Sequence, residues 1–74
     1  MNFGYKIEKH LGVFADKKNG YTKEVNVVSW GDYNPQIDIR MWKNVEGDKT
    51  PCKGISLSKD EAEKVFLLLK DALA

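Results

Sequence analysis

A chain of 74 residues has room for one small domain, a single sheet with one or two helices. Its composition, 42% hydrophobic and 31% charged, suits an ordinary folded globule, while a net charge of +1 means that any basic surface must be local. One cysteine and one histidine exclude an intrachain disulfide framework and a zinc cluster. No apolar run nears the roughly 18 residues of a membrane span, and no signal-peptide pattern opens the chain. A soluble, cytoplasmic protein that gains stability by self-association is expected.

The first strand is expected from Tyr5 to Ala15. Tyr5, Ile7, Leu11 and Val13 share one register, and Lys9 interrupts it, the mark of an edge position or a local twist. Asp16-Lys17-Lys18-Asn19-Gly20 then breaks the pattern. Asn-Gly between two alternating runs predicts a hairpin, because both residues tolerate positive φ. Tyr21 to Trp30 reads as the second strand, with Tyr21, Lys23, Val25 and Val27 on one side and Glu24, Asn26, Val28 and Trp30 on the other. Both sides are partly apolar, so parity leaves open whether Trp30 faces the core or the outside.

Gly31 to Pro35 has turn composition. In the third strand, Gln36 to about Lys43, Ile37, Ile39 and Met41 alternate with Asp38, Arg40 and Trp42. This period of two marks a strand with one dry and one wet face. Arg40 and Trp42 then leave the wet face together, roughly 7 Å apart at about 3.3 Å per residue. A guanidinium beside an indole on an open sheet suits a phosphate and a flat base. The competing reading has Trp42 capping the rim of the core and Arg40 paired with a carboxylate. Asn44 to Pro51 reads as a long polar loop with Gly47 at its tip. Cys52 to Leu57 is the fourth strand. Strict alternation there would bury Lys53 beside Ile55 and Leu57, so a bulge at Gly54 that turns Lys53 outward is expected.

Ser58 to Leu73 is the one helix, opened by a Ser58-x-x-Glu61 capping box. Ala62, Val65, Phe66, Leu69, Ala72 and Leu73 form an apolar stripe that Leu68 widens, and Leu67 stands outside it among charged residues. So much apolar helix in so short a chain predicts a homodimer, with Phe66, Leu67, Leu68, Leu69 and Leu73 at its interface. One helix covers one face of a sheet, which leaves the face of Arg40 and Trp42 open.

The runs Lys23-Glu24-Val25-Asn26, Val28-Ser29-Trp30, Ile37-Asp38-Ile39-Arg40-x-Trp42, Glu46-Gly47 and Lys53-Gly54-Ile55-Ser56-Leu57-Ser58 resemble the positive-cofactor-four family of single-stranded-DNA-binding transcriptional coactivators. Its short bacterial members are the nearest in pattern, over roughly residues 20 to 70. The resemblance implies an α+β fold in the order β-β-β-β-α: a curved four-stranded antiparallel sheet with a C-terminal helix, dimeric through the helix side. Grooves on the sheet would hold single-stranded DNA with little sequence preference. By the same likeness Arg40, Trp42 and Lys53 fall at groove positions, Trp30 ends the second strand as a further aromatic, and Lys23 and Asn26 lie in the Lys-Glu-x-Asn run. Two departures stand out. Cys52 occupies a position that tends to be basic in eukaryotic members, and their Ser- and Lys-rich tail is lacking, which argues against a coactivator role.

The leading expectation is thus a homodimeric, nucleoid-associated binder of single-stranded DNA or RNA, serving transcription, replication or repair. Trp42 and Trp30 would stack bases, and Arg40, Lys53, Lys23 and Lys43 would meet phosphates. The alternative is a protein-interaction module whose open sheet takes a peptide. No enzyme is expected: His10 stands alone, Cys52 has no partner for a nucleophile pair and reads as a small buried hydrophobe, and Asp32 with Asp38 makes no acid–base or metal spacing. Asp38 is better suited to orienting Arg40 or a cross-strand lysine. No cofactor, metal, membrane or small-molecule substrate is expected.

Overall fold

The turns decide where the strands end. The computed structural model describes residues 4–74, and within it Glu46 and Gly47 both take positive φ, 50° and 85°. Two successive left-handed residues are what a two-residue hairpin needs to match the twist of its strands. β3 (Gln36–Val45) and β4 (Asp48–Leu57) therefore run right up to the turn, with Val45 opposite Asp48. This corrects the loop expected from Asn44 to Pro51. Pro51 is tolerated inside β4 because β4 is an edge strand.

A wider hairpin joins β1 (Tyr5–Asp16) to β2 (Tyr21–Trp30). It falls where Asn19-Gly20 predicts one, but the positive φ values belong to Lys18 and Gly20. The Asp16 carboxylate accepts the Lys18 N–H at 2.9 Å and fixes that conformation. The four strands form one antiparallel sheet in the order β1-β2-β3-β4. β1 is an edge, as its broken pattern suggests, and its pairing shifts register three times, passing over Glu8, Leu11 and Phe14. Each shift adds bend and twist to the strand.

β4 has its own shift. Cys52 and Lys53 lie between the pairs Trp42–Pro51 and Arg40–Gly54, so both oppose Met41. The bulge thus precedes Gly54, and the glycine serves a different need: a Cβ there would lie 2.5 Å from Arg40 Cβ. Lys53 is exposed, as expected.

The sheet curls strongly. Tyr5 pairs with Trp30 at one end of β1–β2, while Lys49 pairs with Asn44 beside the β3–β4 turn, yet the Tyr5 hydroxyl donates to the Lys49 carbonyl. That bond joins the two edge strands and opposite ends of the sheet, so it closes over an inner face. Glu24, Asn26, Val28, Trp30, Asp38, Arg40 and Trp42 share that face by register, and Lys23, Val25, Val27, Ile37, Ile39 and Met41 share the outer one.

Two expectations are overturned here. The alternation in β3 is real, but its dry and wet sides are exchanged: Trp42 and Asp38 are fully buried, whereas Ile37, Ile39 and Met41 are only half-buried. Side chains of the curl itself, the rings of Tyr5 and Trp30 and the long chains of Arg40 and Lys49, roof the inner face. The helix, moreover, does not cover the sheet. α1 (Lys59–Leu73) keeps its capping box, with the Glu61 N–H on Ser58 Oγ at 3.1 Å and the Ser58 N–H on the Glu61 carboxylate at 2.8 Å. It begins one residue after β4 and touches the sheet only at β3 and β4. Only Ala62 and Val65 are half-buried, and Phe66, Leu67, Leu68, Leu69 and Leu73 stay between 54% and 85% exposed.

Candidate nucleic-acid interface

On the inner face, the groups suited to a ligand are already partnered. Arg40 grips Asp38 through Nε and Nη2, both at 2.9 Å, and donates from Nη1 to the Cys52 carbonyl at 2.9 Å. Its guanidinium lies 4.7 Å from the centre of the Trp30 ring. The Trp30 indole N–H donates to Ser56 Oγ at 3.0 Å, and the Ser56 hydroxyl donates to Asp38 at 2.8 Å. Trp42 stacks against Trp30, and the Tyr5 ring touches both. Arg40 is paired with the Asp38 carboxylate, and Trp42, with no exposed surface, lies in the core rather than at its rim or on an open face. Trp30 keeps some exposure at the mouth of a shallow opening with Arg40, Pro51, Cys52 and Ser56. Cys52 is half-exposed rather than buried.

A second polar network fills the other part of this face. Glu24, fully buried, accepts from Lys49 Nζ at 2.6 Å, Thr22 Oγ1 at 2.7 Å and Asn26 Nδ2 at 3.1 Å. Burial by itself raises the pKa of the carboxyl, but these bonds and the Lys49 charge outweigh it and hold the value below the ordinary one. His10 reaches in from β1, its Nδ1 2.6 Å from Asn26 Oδ1. Asn26 is thus a buried strut of the sheet, with no exposed surface for a ligand.

The outer face is different. Phe14, Lys23, Ile39, Met41 and Lys53 line an open groove, with the Arg40 stem at its side. Met41 also borders a second opening, made with Lys17, Asn19 and Tyr21. Lys43 Nζ sits 5.8 Å from the centre of the Tyr21 ring, a cation–π distance. Among the described residues, none of Lys17, Lys23, Lys43 and Lys53 takes part in an ion pair; the lysine and arginine pairs present use Lys6, Arg40, Lys49 and Lys64. Phe14 is 58% exposed.

The curl therefore divides the residues that the sequence singles out. Lys23, Lys43 and Lys53 gather outside; Arg40, Trp30, Trp42 and Asn26 gather inside. Phe14, Tyr21 and Met41 are the additions. The latter two are visible in the sequence as mates of Lys23 and Lys43 by parity. Phe14 is hidden by the bulge beside it.

A curved four-stranded sheet with a trailing helix, carrying unpaired cations beside exposed rings, is a small binding module of a kind consistent with nucleic-acid recognition. The family described as Transcriptional Coactivator p15 (PC4) matches residues 17–66, and the chain belongs to that family. A similar protein, described only as uncharacterized, occurs in Treponema pallidum (strain Nichols). It is 29% identical over 73 residues, covering 97% of this chain and 78% of that relative. Proteins of the PC4 family are non-catalytic, and the described residues contain no group of His, Cys, Asp and Glu able to hold a metal ion. No described helix is long and apolar enough to cross a membrane.

Proposed function

We propose that this protein is a homodimeric binder of single-stranded nucleic acid, DNA foremost, and that the strand lies on the outer face of the sheet across Lys23, Lys43 and Lys53. One observation carries this reading: among the described residues, lysines outside any ion pair stand beside the exposed Phe14 ring and the half-buried Tyr21 ring on that face. An unpaired surface cation can release a condensed counterion when it meets a phosphate, and a ring can stack any base. Arg40, Trp42 and Asn26 act one layer behind, holding the curve that presents the groove. Trp30, partly exposed, rims the far side. Such a ligand suits a nucleoid-associated role in transcription, replication or repair.

Dimerisation is supported by the bare apolar side of α1, where Phe66, Leu67, Leu68, Leu69 and Leu73 are all exposed. An apolar area of that kind on a small domain marks an interaction surface, and a second copy would bury helix against helix.

Titration with a labelled thymidine oligomer and with a duplex of matched length, at low and moderate salt, tests the function. Binding to the single strand that weakens steeply with salt, and exceeds duplex binding, is expected. Equal affinity for both forms would reject single-strand recognition.

A further inference from the structure

We propose that Asn19, at the tip of the β1–β2 hairpin, is a self-modification site: the Gly20 backbone nitrogen attacks the Asn19 side-chain amide, which is lost and replaced by a carboxylate. Water is the only co-reactant, and no ligand or partner is needed.

Asparagine is thermolabile, most of all where its amide meets a free backbone nitrogen. The hairpin supplies that meeting. Asn19 and Gly20 are both exposed and lie outside the strands. Gly20 has no Cβ to crowd an attack. Among the described residues nothing accepts a hydrogen bond from its N–H; only its carbonyl is held, by the Asn44 N–H at 2.7 Å and Asn44 Nδ2 at 3.1 Å. The Tyr21 N–H donates to Asn19 Oδ1 over a long 3.4 Å. That bond folds the side-chain carbonyl forward along the turn, toward the Gly20 nitrogen, and it can shorten as charge builds on the oxygen. Lys17 and Lys18, exposed and outside any ion pair, favour loss of the Gly20 amide proton.

In the reaction the Gly20 nitrogen gives its proton to hydroxide and bonds to Asn19 Cγ. Nδ2 takes up a proton and leaves as ammonia, which closes a cyclic imide. Water then opens the ring. Breaking the bond between Cγ and the Gly20 nitrogen leaves an ordinary aspartyl residue. Breaking the bond between the main-chain carbonyl and that nitrogen leaves the chain routed through Cγ, one carbon longer. Either way one water is consumed, one ammonia is released, and the net charge falls from +1 to zero.

The fold withholds the same chemistry from the other asparagines of the described residues. Asn26 is fully buried, with Oδ1 on His10 and Nδ2 on Glu24. Asn34 precedes Pro35, which has no N–H to lose. Asn44 commits Nδ2 to the Gly20 carbonyl and Thr22 Oγ1, and the residue after it is the branched Val45, inside β3.

Peptide mapping by mass spectrometry tests this on the intact folded protein aged at mildly acidic and mildly alkaline pH, beside a urea-unfolded sample and Asn19→Ser. The folded protein should lose the amide at position 19 and keep those of Asn26, Asn34 and Asn44, with loss several-fold faster at the alkaline pH. Ion exchange should resolve a growing acidic form of the wild type and none of Asn19→Ser. An amide at position 19 that persists in the folded protein while the unfolded one loses it overturns the proposal, as does equally fast loss at Asn44 or an acidic form of Asn19→Ser.

Discussion

Trp30 and Trp42 stack with 7° between their ring planes and 6.4 Å between their centroids, although Trp42 is level with Thr22, eight residues from Trp30 along β2. A straight strand would separate those positions by about 26 Å. The stack exists only because the sheet folds over its inner face, so the two indoles report the curl itself.

Removing that stack should unfold the domain before it touches any ligand. Trp42→Ala is expected to cost about 3–5 kcal/mol, the usual loss for a buried large aromatic. Trp42→Phe should cost less. It keeps a ring in the core and removes an indole N–H that is buried with no hydrogen-bond partner among the described residues, a group whose burial carries a penalty of about 1–3 kcal/mol. Urea denaturation checks the order. A Trp42→Ala protein within about 1 kcal/mol of wild type would mean that the indole is a surface group after all.

Glu24 sets the acid limb of stability. Its folded pKa lies below the ordinary carboxyl value, since the bonds from Lys49, Thr22 and Asn26 overcome the opposing effect of burial. A depressed carboxyl contributes stability that is fully present above its unfolded pKa and is lost as pH falls through the folded one. Melting temperature should thus decline from the ordinary carboxyl range downward. Glu24→Gln, less stable at neutral pH, should decline less steeply there; an identical acid slope in both proteins would assign the effect to other carboxyls.

Two glycines should respond differently to a methyl group. At Gly54 a new Cβ would meet Arg40 Cβ at 2.5 Å, Arg40 Cα at 2.6 Å and the Ile39 carbonyl at 2.6 Å, and none of these can swing aside. At Gly47, φ is +85° but nothing lies within 4 Å, so only left-handed backbone strain of about 1–2 kcal/mol applies. Thermal melts should rank Gly54→Ala as clearly the more damaging. The reverse order would contradict the close approach of the β3 backbone to Gly54.

The helix should govern association and leave the monomer fold alone. Leu68 is 71% exposed, so Leu68→Lys disturbs little packing within one chain. Sedimentation is expected to find a dimer for the wild type and a shift toward monomer for the variant, with the far-ultraviolet spectrum retained. A wild type that sediments as a monomer at high concentration would remove the homodimer from the proposal.

What was legible in the sequence was whatever is local. Ser58 and Glu61 announce the helix start because both partners of the capping box lie within one turn. Asp38 and Arg40 are two apart on one face of a strand, so their pairing could be foreseen. Alternation in β3 likewise sorts Asp38, Arg40 and Trp42 from Ile37, Ile39 and Met41. It carries no sign, however: which set closes depends on the curl, and the curl depends on Tyr5 meeting Lys49 from the far end of the sheet. The strand at Asn44 and Lys49 was masked by polar composition, since the positive φ that shortens the loop is taken by Glu46, a residue that seldom adopts it. Phe14 could not be placed because three bulges erase parity in β1.

The outer face is tested most directly by the salt dependence of single-strand affinity in Lys23→Ala, Lys43→Ala and Lys53→Ala, each against the wild type. Each phosphate deprived of its lysine should flatten the slope of log affinity against log salt by roughly 0.7, while Arg40→Gln leaves the slope unchanged because its charge is already held by Asp38. Unaltered slopes in all three lysine variants, with the slope reduced in Arg40→Gln, would put the strand on the inner face instead.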